Sequence, residues 1–325
     1  MVEFISRGTL SLALQELSPQ QIWQYKLSIR LKLTKSYGTE FQDFFSTIME
    51  KVHGADFIRV RAFGSLGDKG CDGYLQISGR VFQCYGKMPD AAVNVATLVG
   101  KINGDYDLAR NHLKAIMKEW HFGHNLMNGF PTEAVLALEA LKAANTKHTI
   151  GLIGPDKLEE YALKLSEDKL FELFGPAATA EDSRNLNMAE VGALMDNVIS
   201  AISTGPSNVS DVKTVPLNKL IFNKLPEHWC GLIRAGIQNA PYVAAFIGQH
   251  HDPEAGIKIA AAFNERYRTL RLERLEPGEI MDRLYEGITG FGSVTAQRQV
   301  AAHALLAHLF ESCDIFEREL ETATP

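Results

Sequence analysis

The chain has 325 residues, of which 46% are hydrophobic and 22% are charged, and its formal net charge is −6. This composition predicts a soluble globular protein of about two domains, and the negative charge excludes a strongly basic nucleic-acid-binding protein. The four cysteines form no C-x-x-C pair, which argues against a zinc site and fits a reducing compartment. We find no apolar run of membrane-spanning length and no signal-peptide pattern, so we expect a cytoplasmic protein without membrane contact.

The first half of the chain alternates between helical and strand-like patterns. Apolar residues at helical spacing predict a helix over 38–52, in which Glu40 borders the apolar stripe and could point toward a sheet. The later elements predicted in this half are strands over 57–63, 72–77, 81–85, 120–124 and 149–153, a helical stretch over 91–118 interrupted near Gly100 and Gly104, a helix from Thr132 and a helix ending near Leu165. This alternation predicts an α/β domain with helices on both faces of a sheet.

A glycine-rich turn over residues 67–74 is the most informative motif. The strand after this turn opens with Asp72, and a Ser78-Gly79 turn leads to a strand that holds Gln83. Glycine beside Asp72 lets the backbone approach closely, as a phosphate or metal ligand would need. The alternative is a plain surface hairpin in which Asp68 and Asp72 only form the turn.

The second half of the chain reads as helical. Composition shifts near residues 175–180, and Pro and Gly punctuate helices from residue 217 onward. We therefore predict an α/β domain over 1–176, a linker region over 177–213 and an all-α interaction domain over 214–325. Near its end, Phe310 continues an apolar helix stripe, whereas Ile315 and Phe316 lie past the expected helix end and are candidates for docking a partner protein.

The order of elements resembles the core of the PD-(D/E)XK nucleases, which is a restriction-endonuclease-like mixed sheet flanked by helices. The resemblance implies that Glu40, Asp72 and Gln83 converge on a divalent cation, Mg²⁺ or Mn²⁺. Mg²⁺ favours oxygen ligands and commonly binds through one or two carboxylates, water and substrate phosphate. Such an ion can activate water for cleavage of a phosphodiester bond.

Further motifs are similar to a family of bacterial ABC-three component conflict systems. They are the Gly-Asp-x-Gly-x-Asp-Gly-Tyr turn at 67–74, Trp-His-Phe-Gly-His-Asn at 120–125, Gly-Phe-Pro at 129–131, Leu-Phe-Glu-Leu-Phe-Gly-Pro at 170–176 and the ending at 309–317. In these systems a nuclease-like protein is paired with an ABC or SMC-like ATPase. The resemblance implies an ATPase partner, a further small component, a DNA substrate (or RNA) and oligomerisation on activation.

One position departs from the nuclease pattern, which has lysine two residues after Gln83, where this chain has Tyr85. Tyrosine carries no positive charge at neutral pH and so cannot replace lysine electrostatically. Lys87, two residues on, and Lys101, in the following helical stretch, are the candidates for the missing charge. For an isolated lysine the alternative is a solvated side chain.

Basic residues near the motif are candidates for nucleic-acid contact. Arg59 and Arg61 alternate with apolar residues on the preceding strand, and Lys69 lies in the glycine turn. Two hypotheses follow. The chain is either a metal-dependent nuclease effector controlled by an ATPase, or a nuclease-derived scaffold without chemistry that assembles the complex. Tyr85 favours the scaffold, and the retained polar positions favour the nuclease.

Overall fold

A computed structural model describes residues 17–62, 67–200, 219–290, 292–312 and 315–316. The described residues form a mixed α/β structure with a five-stranded sheet, and 62% of them are helical. Within these ranges, no helix has the length and apolarity needed to cross a bilayer.

The helices and strands follow one another in a simple order. The α/β part contains α1 (Pro19–Lys35), α2 (Gly38–His53), β1 (Phe57–Arg59), β2 (Gly73–Leu75), β3 (Arg80–Tyr85), α3 (Val95–His112), β4 (Glu119–His124), α4 (Thr132–Ala144), β5 (Thr149–Ile153), α5 (Pro155–Ala162) and α6 (Glu167–Phe174). The helical part contains α7 (Ala180–Arg184), α8 (Met188–Ser200), α9 (Lys219–Phe222), α10 (Glu227–Ile237), α11 (Ala240–Gly248), α12 (Ala255–Leu272), α13 (Pro277–Thr289) and α14 (Ala296–Glu311).

The sheet has its strands in sequence order, β1-β2-β3-β4-β5. The first three form an antiparallel meander, in which Gly73 lies opposite both Arg59 of β1 and Phe82 of β3. The last three are parallel, with Gln83 opposite Phe122 of β4. The parallel pairing follows from α3 and α4, because a crossover helix returns the chain to the same end of the sheet.

Helices cover both faces of the sheet, as the sequence predicts. Successive residues of a strand point to opposite faces, and β3 shows this clearly, since Phe82 joins one apolar cluster and Val81 joins another. The Phe82 cluster includes Phe41, Phe45 and other apolar residues of α2, together with Leu158 of α5. The Val81 cluster contains residues of α3, α4 and β4.

Helix α1 contributes to the core of both parts of the chain. Its Leu27 packs in the large cluster formed by α8 and α10–α14, whereas Ile29 packs with α2 and the sheet. The close contact with α10 depends on Gly231, because a Cβ there would lie 2.2 Å from the Trp23 ring. The helical part therefore packs directly against the N-terminal helix.

The structure differs from the predicted elements in several places. The strand predicted over 72–77 is only Gly73–Leu75, so Asp72 lies just before it, and the helical stretch predicted over 91–118 is helix over Val95–His112. The strand predicted over 57–63 is described as strand only to Arg59, and Phe63 lies outside the described residues. Helix α3 runs without a break through Gly100 and Gly104, because its Leu98, Ile102 and Tyr106 are all buried against the sheet and packing outweighs the low helix propensity of glycine. The segment 177–213 contains α7 and α8 in its described part, and residues 201–213 lie outside it.

The prediction that Ile315 and Phe316 form a docking surface is wrong. Both side chains are buried in the core of the helical part, where the Phe316 ring lies 4.9 Å from the Tyr267 ring and 5.8 Å from the Phe310 ring. The buried Lys219 ammonium donates hydrogen bonds to the carbonyls of Phe310 and Ile315, at 2.5 and 2.7 Å. These contacts fold the chain back after α14.

Candidate functional site

Asp72 lies directly before β2 and is fastened to β3 on both sides of Gln83. Its backbone N–H donates to the Phe82 carbonyl at 2.7 Å, and its Oδ2 accepts from the Cys84 N–H at 2.7 Å. Phe82 and Cys84 flank Gln83 in the chain, so the carboxylate of Asp72 and the side chain of Gln83 arise at neighbouring points of the sheet. The carboxylate is buried, with 3% of Asp72 exposed.

The glycine turn before Asp72 is pressed against helix α3. Gly70 has a φ of +74°, and a Cβ at this position would lie 2.3 Å from the Asp105 carbonyl oxygen. The Oδ1 atom of Asp68 accepts from the Gly70 N–H at 2.9 Å, which shapes the turn. Glycine is therefore required here both for the left-handed conformation and for the close approach of two backbones.

The electrostatic environment of Asp72 keeps it close to its titration point at neutral pH. Burial raises the pKa of this carboxyl to about 7, because the charged form loses its hydration. The hydrogen bond from the Cys84 N–H and the charge of Lys101 lower the pKa, whereas the carboxylates of Asp68 and Asp105 raise it. A pKa near 7 is typical of functional carboxyls, although structural burial also produces it.

Gln83 is the second buried polar group of this region. It is 3% exposed, and its Oε1 atom has no hydrogen-bond partner among the residues that the structure describes. Buried polar atoms without a partner are uncommon, and an ion or water can satisfy them. Two residues later, the ring of Tyr85 stacks on Phe122 with centroids 6.2 Å apart, so Tyr85 serves packing.

The two candidate lysines lie in different surroundings. Lys101, on α3, forms an ion pair with Asp105 at 2.7 Å, and its charge acts on the pKa of Asp72. Lys87 lies beyond the end of β3, where its backbone N–H donates to the Asn125 side chain at 2.7 Å. Of the two, Lys101 is the one whose charge influences Asp72.

Glu40 is not brought to Asp72, and a different residue of α2 takes its place. Glu40 lies exposed in the first turn of α2, and no hydrogen bond or ion pair joins it to Asp72 in the described ranges. Instead, the Gln42 Nε2 donates to Asp72 Oδ1, and Gln42 Oε1 accepts from Arg61 at 3.0 Å. Gln42 was not among the predicted site residues. It borders the apolar stripe of α2 as Glu40 does, so the pattern of the helix alone does not distinguish the two.

The basic residues proposed for nucleic-acid contact differ in their exposure and in the side chains that they contact. Arg59 is held by α2 through ion pairs to Glu50 at 2.7 Å and Asp43 at 3.1 Å. Arg61 is exposed and pairs with Asp43 and Gln42, so it lies at the edge of the site. Lys69 is half-buried with a φ of 59° in the glycine turn.

The donor atoms around Asp72 fit a divalent cation only with help from other ligands. In the part of the chain that the structure describes, no group of three His, Cys, Asp or Glu side chains could hold a metal ion. Asp72 offers a carboxylate whose oxygens each accept one hydrogen bond, and Gln83 offers an unpartnered Oε1. Mg²⁺ commonly binds through one or two carboxylates plus water and phosphate. One carboxylate and one amide oxygen therefore suit Mg²⁺ better than an ion that takes all its ligands from the protein.

Comparison with known protein families gives a match in the helical part. Residues 189–317 match the family model of C-terminal domain 10 of the ABC-three component (ABC-3C) systems. No curated protein and no solved structure matches the chain. The match runs from α8 to α14, so the similarity to these systems concerns the helical part of the chain.

Proposed function

We propose that the chain is the nuclease effector of its ABC-three component system, a class of conflict and defence system. In this proposal the region around Asp72 cleaves phosphodiester bonds of DNA or RNA with a bound Mg²⁺ or Mn²⁺, and an ABC-ATPase partner controls it. The observation that carries the proposal is the buried Asp72 carboxyl, which has a pKa of about 7 and is hydrogen-bonded to the two strand residues that flank Gln83. The buried Gln83 Oε1 has no hydrogen-bond partner among the described residues.

The strand order supports this proposal. A helix, an antiparallel three-stranded meander, a crossover helix and a parallel fourth strand follow one another from α2 to β4. This is the order expected of a restriction-endonuclease-like core, with Asp72 directly before the second strand and Gln83 on the third. The sheet therefore supports an endonuclease-like domain in the first half of the chain.

The residues of this chain would have distinct roles. Asp72 and Gln83 would hold the ion, which when bound would supply Lewis-acid activation of water and neutralise charge on the phosphate. Gln42 would orient the Asp72 carboxylate through its hydrogen bond. Lys101 would supply positive charge from α3 in place of the lysine that Tyr85 replaces, and Arg61 would contact the substrate backbone.

A second candidate function is a scaffold of nuclease fold without chemistry. The observation that favours it is the packing of Tyr85 on Phe122, together with the ion pair that engages Lys101 with Asp105. In a scaffold, the Asp72 carboxyl would serve only to fasten the glycine turn to β3 through the Cys84 N–H.

The test is nucleic-acid cleavage by the purified chain, alone and with its co-expressed ATPase partner, in the presence of ATP and Mg²⁺ or Mn²⁺. We expect Asp72→Asn to abolish cleavage while the protein still assembles with its partner. Asp107→Asn is the matched control, because Asp107 lies exposed on α3 in an ion pair with Arg110. Cleavage by folded Asp72→Asn at the wild-type rate would refute the nuclease assignment. If the wild-type complex assembles but cuts no substrate, the scaffold is the correct function.

A further inference from the structure

The sheet ends on one side in β5, whose outer backbone edge has no partner strand among the described residues. Strand β5 is last in the sheet and pairs with β4. The Thr149 N–H donates to the Lys118 carbonyl at 3.1 Å, so Thr149 and every second residue after it direct their backbone groups to β4. Ile150 and Leu152 therefore direct their N–H and C=O groups outward. In the described ranges, no hydrogen bond to a turn, a loop or a side chain engages these two N–H groups.

This edge lacks the features that normally keep an edge strand from pairing. Natural edge strands are protected by charged side chains, by proline, by bulges or by being very short. The five residues of β5, Thr-Ile-Gly-Leu-Ile, include no charge and no proline, and the Leu152 side chain is 38% exposed. The opposite edge of the sheet is different, because β1 has three residues and ends in Arg59, which is held by α2. Of the two edges, β5 is therefore the one suited to accept another strand.

The sequence of β5 is complementary to itself in an antiparallel register. If Gly151 of one copy lies opposite Gly151 of a second copy, Ile150 lies opposite Leu152, and each such pair exchanges two backbone hydrogen bonds through the outward groups. Ile150 belongs to the apolar cluster on the α3 and α4 side of the sheet, so both members of the pair lie on that face. On the other face, Thr149 lies opposite Ile153, a pair of β-branched residues that packs well between strands.

The charges that flank β5 favour the same register. Lys147 precedes the strand and Asp156 follows it, and no Asp, Glu, Lys or Arg lies between them. Aligning Gly151 with itself sets residue 147 against residue 155, so Lys147 of each copy lies beside Asp156 of the other. Lys147 is exposed and forms no ion pair with a described residue, and the Asp156 side chain is 87% exposed although it contacts Arg30. Opposite charges therefore meet at both ends of the paired strands.

We propose that two copies of this chain associate through their β5 strands, antiparallel and about a twofold axis at Gly151, into one continuous ten-stranded sheet. The interface is isologous, because the same edge is used by both copies. It depends on the outward backbone groups of Ile150 and Leu152 and on the apolar contact between these side chains. The proposal is independent of the nuclease assignment, since neither Asp72 nor Gln83 takes part.

Sedimentation velocity of the full-length protein over a range of micromolar concentrations tests the proposal. We expect a species of twice the 36.0 kDa of the chain, which dissociates to the single chain on dilution. Leu152→Lys places a charge on the edge, and Leu152→Pro removes an outward N–H without removing a hydrogen bond to β4. Each substitution should weaken the dimer at least tenfold, because the twofold axis makes every change act twice.

A substitution at the opposite edge of the sheet is the matched control. Ile58 of β1 is 43% exposed, close to the 38% of Leu152, so Ile58→Lys makes the same chemical change at a similar exposure. It should leave the dimer unchanged. Circular dichroism should show the wild-type fold for each variant, which separates loss of association from loss of folding.

A charge exchange tests the antiparallel register. Lys147→Glu and Asp156→Lys should each weaken the dimer, because each sets like charges beside one another. The double variant should dimerise more tightly than either single variant, since opposite charges again meet.

Hydrogen exchange locates the interface in the wild type. Ile150 and Leu152 donate hydrogen bonds only in the dimer, so amide exchange in the segment 149–153 should slow as the protein concentration rises. In Leu152→Lys the exchange of this segment should not depend on concentration.

Four results would overturn the proposal. The first is folded wild-type protein that stays monomeric at every concentration. The second is a dimer that neither Leu152 substitution weakens, and the third is a double charge variant that dimerises no better than the single ones. The fourth is protection of 149–153 only in the presence of the co-expressed ATPase partner and without a dimer of the chain, which would assign the edge to a strand of that protein.

Discussion

Ionisation of Asp72 should make the free energy of unfolding of this protein depend on pH, and Asp72→Asn should remove this contribution. Its carboxyl has a pKa of about 7 in the folded protein, against an ordinary value of 3.8. Between these values the folded state binds more protons than the unfolded state, so the free energy of unfolding falls as pH rises. From pH 5 to pH 8, the two pKa values correspond to a loss of about 2–3 kcal/mol from this group.

Asp72→Asn removes the titration and keeps the size of the side chain, while its single amide oxygen can keep one of the two hydrogen bonds that the carboxylate accepts. We therefore expect urea unfolding at pH 5 and pH 8 to give a pH-dependent loss about 2–3 kcal/mol smaller in the variant than in the wild type. Subtracting the loss in the variant from the loss in the wild type cancels the contributions of other titrating groups, such as His228 and His303. Equal losses in both proteins would refute the reasoning, since Asp72 would then titrate as an ordinary surface carboxyl. A divalent cation held by ionised Asp72 should raise the stability of the wild type at pH 8 and leave the variant unchanged.

Three further predictions concern the site and the end of the chain. Gln42→Ala should lower the cleavage rate at least tenfold, whereas Glu40→Ala should leave it unchanged, because of these two residues it is Gln42 that contacts Asp72. Equal effects of the two substitutions in a plasmid-cleavage assay would contradict this prediction. Lys101→Met should move the pH dependence of cleavage to higher pH, because the charge of Lys101 lowers the pKa of Asp72. An unchanged pH–rate profile would show that Lys101 does not act on the ionisation of Asp72. Phe316→Ala should destabilise the protein by about 3–5 kcal/mol in urea unfolding, and a loss below 1 kcal/mol would contradict its burial.

Three of the five strands, β3, β4 and β5, were predictable to within one residue because each leaves a local signal. The fifth strand was predicted over 149–153 and is Thr149–Ile153, and the fourth differs from its prediction by one residue. Apolar residues bounded by turn residues define such buried strands without any knowledge of the partner strand. The helices on both faces followed from the alternation of helix and strand.

Gln42, the residue of α2 that contacts Asp72, could not be predicted from a local sequence pattern. Glu40 and Gln42 both border the apolar stripe of the helix, but two residues separate their side chains by about 200° around its axis. Which of them meets Asp72 depends on how α2 is rotated over the sheet. That rotation is set by the packing of Phe45 on Phe82, whose ring centroids lie 5.5 Å apart although the residues are far apart in sequence.

The burial of Phe316 was unpredictable for a related reason. No helical periodicity extends past α14, so the sequence gives no sign of which way the chain turns after Glu311. The turn is set by Lys219, whose buried ammonium bonds the Phe310 and Ile315 carbonyls from more than 90 residues away. A lysine that donates to carbonyls inside a core is indistinguishable, in sequence, from one on a solvated face.

In the proposed nuclease, Lys101 is the candidate for the positive charge that Tyr85 does not provide, because its charge lowers the pKa of Asp72. Lys101 is carried by α3, and α3 meets the turn where Gly70 touches the Asp105 backbone. The same contact brings the carboxylates of Asp68 and Asp105 toward Asp72, where they oppose the effect of Lys101 on its pKa. A nuclease built in this way must keep the turn and α3 in contact, because separating them would remove Lys101 from Asp72. Its activity would therefore depend on a loop-to-helix contact, which a partner protein could strengthen or release, rather than on a lysine fixed in the strand.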